Sequence, residues 1–491
     1  MQENKKLPSV WLSFLPLLIL IGLLVLVLSV FGTDALSGAS QIALLVTSAC
    51  CILLGLCAKT MKWEDFERSV NKHIGDVSQS ILILLLIGAV GGAWMVSGIV
   101  PTLIYYGMHI INPQWFLVSS CLICAVISVM TGSSWTTIAT IGIALLGIGK
   151  AQGFEEGWIA GAIISGAYFG DKISPMSETT VLASSTTKTP LFTHIKYMMY
   201  TTTPAFVVAL IIFTFKGLFY QTVNDGQISS FADGLSNVFF ISPWLMIVPV
   251  LTGIMIAKRL PAVVILFSAT LMACIAAILT QTTLIDHIAD SNYGTWMNRF
   301  RGVMIVVYGS TGIDTGVSEL NDLVSTRGMS GMMSTVWLIF CAMTLGASMS
   351  AAGMIESIMR MFIRITHNAF SLVASTVGVG LFLNIVCADQ YLSIILTGNM
   401  FREHYKKLGY ESKLLSRSTE DAATVTSVLI PWNSCGMTQS MVLGVSTLVY
   451  LPFCFFNYLS PVMSLIIAAS GYKITRKADP DNKYSPSTTN V

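Results

Sequence analysis

The sequence predicts an all-α polytopic membrane protein, with about ten transmembrane helices and two re-entrant hairpins in two inverted repeats. Three observations predict it. Apolar residues make up 54% of the chain and charged residues only 11%, where a water-facing domain carries about 25%. The apolar residues come in runs of roughly 18–22, long enough to cross a bilayer as helices, and no alternating strand pattern is present. Landmarks of the first half also recur in the second at a nearly constant spacing. Gly98-Ile99-Val100 matches Gly353-Met354-Ile355 (353 − 98 = 255), and Trp135 matches Tyr391 (391 − 135 = 256).

The elements follow in chain order. Lys5 and Lys6 precede an apolar run from about Val10 to Phe31. That run exceeds the roughly 7–15 residues of a signal-peptide core, so it reads as an uncleaved first span. Further spans fall at roughly 39–58, 79–98, 157–187, 195–216, 241–257, 261–280, 332–349, 418–442 and 446–470. Segments 114–150 and 370–404 read differently. Each holds two apolar arms, about half the length of a span, around a polar centre: Thr131 to Thr137 in the first, Cys387 to Tyr391 in the second. A hairpin that enters and leaves by one face keeps the arms helical and puts the polar tip at mid-membrane, surrounded by protein. The stretch 302–313 is apolar but short and counts as a dip or external loop.

Basic residues test this count. With ten spans and two hairpins, Lys5, Lys59, Lys188, Lys258, Arg360 and Lys473 fall on one side with their basic neighbours. The positive-inside rule makes that side the cytoplasm and places both termini there. Asp225, Asp233, Asp286 and Asp290 lie in the opposite loops. The expected domains are a first repeat at 1–220, an external linker at 221–240, a second repeat at 241–472 and a cytoplasmic tail at 473–491. Each repeat has an odd number of spans, so the second is inverted relative to the first. The hairpins then enter from opposite faces and the site lies where the repeats meet, as in many secondary transporters. Ser134 and Asp389 are expected to border one polar cavity between the tips.

Chemistry-bearing residues concentrate at the interruptions. Within 157–187, Gly170 to Thr180 includes Pro175, which removes a backbone donor and breaks the helix. Within 418–442, Glu420 to Thr426 is followed by Pro431-Trp432-Asn433-Ser434-Cys435-Gly436. A carboxylate at mid-membrane costs several kcal/mol unless it is paired or lines a wet cavity, which groups Asp171, Glu178, Asp389, Glu420 and Asp421 as candidates. Na⁺ is a hard cation that takes oxygen ligands, by the same logic as Ca²⁺. The hydroxyls of Ser133, Ser134, Thr136, Ser174, Ser177 and Thr179 supply them in the first repeat. Thr424, Ser434 and the Asn433 amide supply them in the second. Asp171, Asp389 and Asn433 are the expected Na⁺ ligands. A carboxylate that binds Na⁺ also binds H⁺, and competition between the two is what an exchanger needs.

Plainer readings stand beside these. Asp171 can simply neutralise Lys172. Glu420 and Asp421 can be solvated near the end of their span, and Ser133 and its neighbours can merely cap the arms. Trp135 and Tyr391 read as packing residues that seal the tips. His109, His194, His367 and His404 fall near span boundaries and read as interfacial. The ten cysteines lie almost entirely inside apolar runs as packing residues; Cys121 and Cys124 have metal-like spacing but no His or Cys partner nearby.

At these motifs the sequence resembles the NhaC-type Na⁺/H⁺ antiporter family. The likeness is carried by Gly132-Ser133-Ser134-Trp135-Thr136, by Ser165-Gly166-Ala167-Tyr168-Phe169-Gly170-Asp171-Lys172-Ile173-Ser174-Pro175 and by Ile430-Pro431-Trp432-Asn433-Ser434-Cys435-Gly436. It covers nearly the whole chain. The resemblance implies a homodimer in the bacterial inner membrane, in which a transport domain bearing both hairpins slides past a scaffold. It implies transported Na⁺ and H⁺ and no cofactor. The family also contains malate/lactate exchangers. Where many relatives have Asp after Pro-Leu-Ser, this chain has Glu178 after Pro175-Met176-Ser177.

Two transport functions fit: Na⁺/H⁺ antiport, and exchange of a small organic acid held by Lys172 and the half-helix N-termini. The residues before Asp171 are Tyr168-Phe169-Gly170, which departs from the Gly-x-Gly-Asp of an intramembrane aspartyl protease. The zinc motif His-Glu-x-x-His does not occur, so an enzyme is not expected, nor a nucleic-acid partner.

Overall fold

The computed structural model describes residues 7–31, 38–219, 225–258, 260–291 and 294–474. Among these, β structure is an isolated bridge between Thr311 and Thr326, and the rest of the regular structure is helical. Nine helices are long and apolar enough to cross a membrane, or up to eleven with two bent pairs counted as one span each. The bent pairs are Ser229–Val238 with Pro243–Ala257 and Thr447–Phe453 with Phe455–Ser470. The termini beyond these ranges, including Lys5, Lys6 and most of the expected tail, lie outside the described residues.

Two elements are longer than the sequence reading made them. The helix expected from residue 79 begins at Trp63 and runs to Val96. Glu64 and Asp65 sit in its first turn, where the helix dipole favours negative charge. Trp63 Nε1 donates to Glu67 Oε1 one turn on, at 2.7 Å. The helix therefore continues past the apolar segment on local electrostatics, which a hydropathy window does not detect. The second difference concerns the two helix pairs. Their arms, Pro113–Thr131, Ser134–Ala151, Ala369–Val386 and Gln390–Lys407, have 19, 18, 18 and 18 residues, not half a span. The polar turn after Ser134 winds helically because its hydroxyls bond back to the chain: Thr137 Oγ1 to Ser133 O at 2.9 Å, Thr140 Oγ1 to Thr136 O at 2.7 Å. The segment after residue 302 is the end of a helix, Thr295–Tyr308, too short to span.

Helix starts recur along the chain. N-caps at Asn112 and Asn368 (368 − 112 = 256), Ser133 and Asp389 (389 − 133 = 256), and Ser177 and Asn433 (433 − 177 = 256) open corresponding helices. Gly98 and Gly353 open two more, both at positive φ. Two apolar cores divide the molecule. One gathers the first helix pair around Phe116, Ile138 and Ile148, and the other gathers the second pair around Leu372, Leu383 and Phe401. A small third cluster of Ala183, Ile394 and Ala423 ties the second pair to both interrupted helices.

The arm Pro113–Thr131 packs on the helix Glu156–Ile173 almost backbone to backbone. A Cβ on Gly166 would sit 2.0 Å from Cys121 O, and one on Gly170 would sit 2.3 Å from Ala125 O. Ser128 Oγ donates to Ala167 O at 2.6 Å across the same seam. The spacing Gly166-x-x-x-Gly170 is the small-residue device by which membrane helices approach closely. It sets the register of the next residue, Asp171, against the tip of the first pair. Gly166→Ala should push the two helices apart at a cost of about 1–3 kcal/mol. The expected result is a lower melting temperature in detergent together with weakened transport, although the glycine contacts no ion.

Candidate functional site

The first interrupted helix ends at Ile173 and restarts at Glu178. In the gap, Ser174 Oγ donates to Val129 O at 2.8 Å, and the Ser177 hydroxyl caps the second half by accepting from Thr180 N. Thr180 Oγ1 donates to Lys172 O at 3.0 Å, and Ser177 Oγ lies 2.9 Å from Thr179 Oγ1. Asp171, buried in the last turn of the first half, points at the tip of the first pair. Its Oδ2 accepts from Ser134 Oγ at 2.7 Å and from Ser134 N at 3.2 Å. Ser133 caps the arm that follows by accepting from Thr136 N.

The second helix pair and the second interrupted helix build the same contact with the roles exchanged. Here the carboxylate is on the tip and the serine is on the interrupted helix. Asp389 Oδ1 caps the second arm by accepting from Leu392 N at 3.0 Å, and Oδ2 accepts from Ser434 Oγ at 3.0 Å. Ser434 N donates to Ala388 O at 2.8 Å, so tip and broken helix are laced twice. Asn433 caps the second half, its Oδ1 accepting from Cys435 N at 3.0 Å while Nδ2 donates to Asn384 O at 3.0 Å. The tips turn through left-handed residues at matching positions, Gly132 (φ +67°) and Ala388 (φ +52°). A non-glycine residue in that region is strained by roughly 1–2 kcal/mol.

A cavity of about 660 Å³ lies between the tips. Ser133, Trp135 and Thr136 line it from one pair; Gln390 and Tyr391 line it from the other. Ser134 and Asp389, expected on its wall, are turned into the protein by their own hydrogen bonds. Asp171, Glu178 and Thr179 do reach it. The charged residues on its wall are Asp76, Asp171 and Glu178; no Lys, Arg or His among the described residues joins them. Tyr391 does more than seal a tip: its hydroxyl donates to Glu178 Oε2 at 3.0 Å and so bridges the second helix pair and the first interrupted helix. Asp76 and Asn384 were absent from the sequence reading. Asp76 sat in what read as a charged loop. Asn384 was an isolated amide in an apolar arm, and only its fold partners, Ala423 O at 2.7 Å and Thr426 Oγ1 at 3.0 Å, mark it.

Lys172 does not pair with Asp171. Adjacent residues on a helix point about 100° apart, and the Lys172 side chain turns to Asp421 on the second interrupted helix. It also donates to Ser460 Oγ at 2.7 Å. Asp421 Oδ1 further accepts from Thr201 Oγ1 and Ser460 Oγ, both at 3.1 Å, and Arg417 Nε lies 3.9 Å from Oδ2. Lys172, Arg417, Glu420 and Asp421 are all fully buried, which rules out the solvated reading of Glu420 and Asp421. Asp421 is thus the counter-charge of Lys172 and stands apart from Asp171 and Asp389. Thr424 is buried in the π-helical turn Glu420–Thr424, where its hydroxyl has no hydrogen-bond partner among the described residues. His194 is not interfacial either: it is buried, with Nδ1 2.8 Å from Ser416 Oγ.

Breaking a buried ion pair leaves a naked charge and costs about 3–5 kcal/mol, whereas removing both partners costs far less. Lys172→Met and Asp421→Asn should each lower thermal stability sharply. The double variant should recover part of the loss, read as a positive coupling in a double-mutant cycle.

The geometry stands beside clear sequence relationships. The profile described as the Na⁺/H⁺ antiporter family matches residues 166–472, more than half of the chain. The Na⁺/H⁺ antiporter NhaC of Alkalihalophilus pseudofirmus is 35% identical over 421 residues, covering 86% of this chain and 88% of its own. The malate-2H⁺/Na⁺-lactate antiporter of Bacillus subtilis is 33% identical over 433 residues, covering 88% and 89%. The Na⁺/H⁺ antiporter NhaC of Bacillus subtilis is 33% identical over 407 residues, covering 82% and 87%. A multi-pass helical membrane protein matched along most of its length by antiporters belongs to the Na⁺/H⁺ antiporter family.

Proposed function

We propose that this chain is a secondary active antiporter that exchanges Na⁺ for H⁺ at Asp171 and Asp389. One observation carries the reading. Asp421, equally buried, has Lys172 and Arg417 beside it, while Asp171 and Asp389 have only hydroxyl and amide donors and no ion pair among the described residues. A buried carboxylate without a cation calls for one. Na⁺ or H⁺ supplies the missing charge, and either occupant excludes the other. The Ser134 and Ser434 hydroxyls, now donating to the carboxylates, can turn a lone pair to Na⁺ when it arrives. Ser174, Ser177, Thr179 and the unwound carbonyls between Ile173 and Glu178 are further oxygen ligands, with Asn433 on the second side.

The matching caps at a spacing of 256 residues, and the exchanged carboxylate and serine, support an inverted repeat with one half-site in each unit. On this reading the protein acts by transport and not by covalent chemistry. It sits in the bacterial inner membrane as a homodimer, with both termini in the cytoplasm. The malate-2H⁺/Na⁺-lactate relative makes organic-acid exchange the second reading. Against it, Lys172, the cation best placed to hold a carboxylate substrate, is committed to Asp421 and Ser460.

Reconstituted vesicles should show Na⁺-driven H⁺ movement without malate or lactate; a strict requirement for either acid would favour the second reading. Asp171→Asn and Asp389→Asn should each cut exchange about a hundredfold or more, the usual size of losing one charge-stabilising group. Both variants should still insert and fold, and Asp→Glu should do less damage while shifting the apparent Na⁺ affinity. Full Na⁺-coupled exchange in Asp389→Asn would remove that residue from the mechanism. For the topology, cysteines introduced between Thr282 and Asp290 should react with an impermeant reagent in intact cells. Cysteines at 405–412 should not.

A further inference from the structure

The long helix Trp63–Val96 borders two cavities. Besides the one between the tips, a second of about 710 Å³ lies toward the helix's other end. Its wall includes Ile143 and Leu146 of the first pair, Arg327, and Met437 and Met441 of the second interrupted helix. On the long helix, Asp76, Gln79 and Ile83 line the first cavity, and Ile87, Gly88, Gly91, Gly92 and Met95 line the second. Steps of three and four residues put Asp76, Gln79, Ile83, Ile87, Gly91 and Met95 on one face, which Gly88 and Gly92 widen at the second cavity. From Asp76 to Met95 that face is about 28 Å long at 1.5 Å per residue, close to the thickness of a hydrocarbon core. The cavities therefore lie toward opposite ends of that face, and on this helix only the turn from Ile83 to Ile87, about 6 Å, separates them.

The first pair repeats the pattern. Trp135 and Thr136 face the first cavity, and Ile143 and Leu146 face the second. The five residues between, Ile138–Gly142, form a π-helix. Such segments are uncommon and concentrate at functional positions, because the extra residue per turn loosens the hydrogen-bond ladder. Two walls of the space thus change cavity at the same level, one across an isoleucine turn and one across a π-helix. Ile87 is 2% exposed and Ile83 is partly buried, so the layer is apolar and largely covered.

We propose that the two cavities are the two ends of one ion route, with the Asp76–Met95 face as its continuous wall. The Ile83–Ile87 turn against the π-helix is its permeation barrier. A hydrated ion cannot enter an apolar constriction too narrow to stay wet, so a layer one turn thick suffices to hold a gradient. Gly91 belongs to the wall for a local reason: a Cβ there meets nothing within 4 Å, while one on Gly88 would strike Gly328 O at 2.6 Å and one on Gly92 would strike Val306 O at 2.3 Å. The first of the three faces open space; the other two seat the helix against its neighbours.

The route rests on the antiport reading only for the identity of the ion, and its test separates the two. In a Cys57→Ala background, an impermeant maleimide is applied to right-side-out and inside-out vesicles. Neither cavity is lined by a native cysteine. Gln79→Cys should react from one side only, Gly91→Cys from the opposite side only, and Leu82→Cys, which is off the face and turned outward, from neither. Labelling of positions 79 and 91 from the same side, or equal labelling of position 82, overturns the continuous wall whether or not Na⁺/H⁺ exchange is found. Ile87→Ser should raise passive ²²Na⁺ leak at zero pH gradient by about tenfold, equivalent to lowering the barrier by about 1.4 kcal/mol. An unchanged leak in a folded Ile87→Ser protein overturns the barrier.

Discussion

Every break in a membrane helix strips partners from backbone amides and carbonyls, and lipid offers no replacement. This constraint governs the rest of the structure. Four helix starts meet at the site, and each brings its own polar cap: Ser133, Ser177, Asp389 and Asn433. The caps satisfy the first amides and leave spare oxygens concentrated in one small volume. On the proposed reading, ion-binding capacity is a by-product of solving a hydrogen-bonding problem. The capping reading of Ser133 and its ligand reading are two uses of the same atom.

Charge is handled by division of labour. One buried acid, Asp421, is joined to Lys172 across a sequence separation of 249 residues and ties the two interrupted helices together. Two others, Asp171 and Asp389, are held by hydroxyls and backbone amides. Such donors orient a carboxylate without neutralising it, so on the proposed reading these groups keep an appetite for a cation that the paired acid has lost. Glu178, exposed on the cavity wall and tethered by Tyr391, is of a third kind: a solvated charge at the mouth of the site.

Local pattern carried much of this in the sequence. The apolar runs gave most spans, and Pro175 and Pro431 marked both interruptions. The polar tips gave Asp171, Ser134, Asp389 and Ser434 as a set. What stayed hidden depends on contacts between distant segments. Asp171 and Lys172 are neighbours in sequence and face different partners in space. The helical extension from Trp63 to Asp76 carries the charge density of a loop, because beyond the bilayer a helix no longer needs to be apolar. The arm lengths were underestimated for a related reason: Ser and Thr that bond to their own backbone read as a break but wind as a helix. His194 sits at the start of a span by sequence, and its burial comes from Ser416 on another helix.

The two tips share a left-handed turn but differ in what surrounds it. At Gly132 a Cβ would lie 2.7 Å from the Met176 backbone, so the first tip has no room for any other residue. At the equivalent point the second tip already carries the methyl group of Ala388 and tolerates its strain. The same substitution therefore means different things at the two tips: position 132 admits glycine alone, while position 388 already holds a β-carbon. The asymmetry between the tips is set by neighbouring backbone, by Met176 and not by the ion.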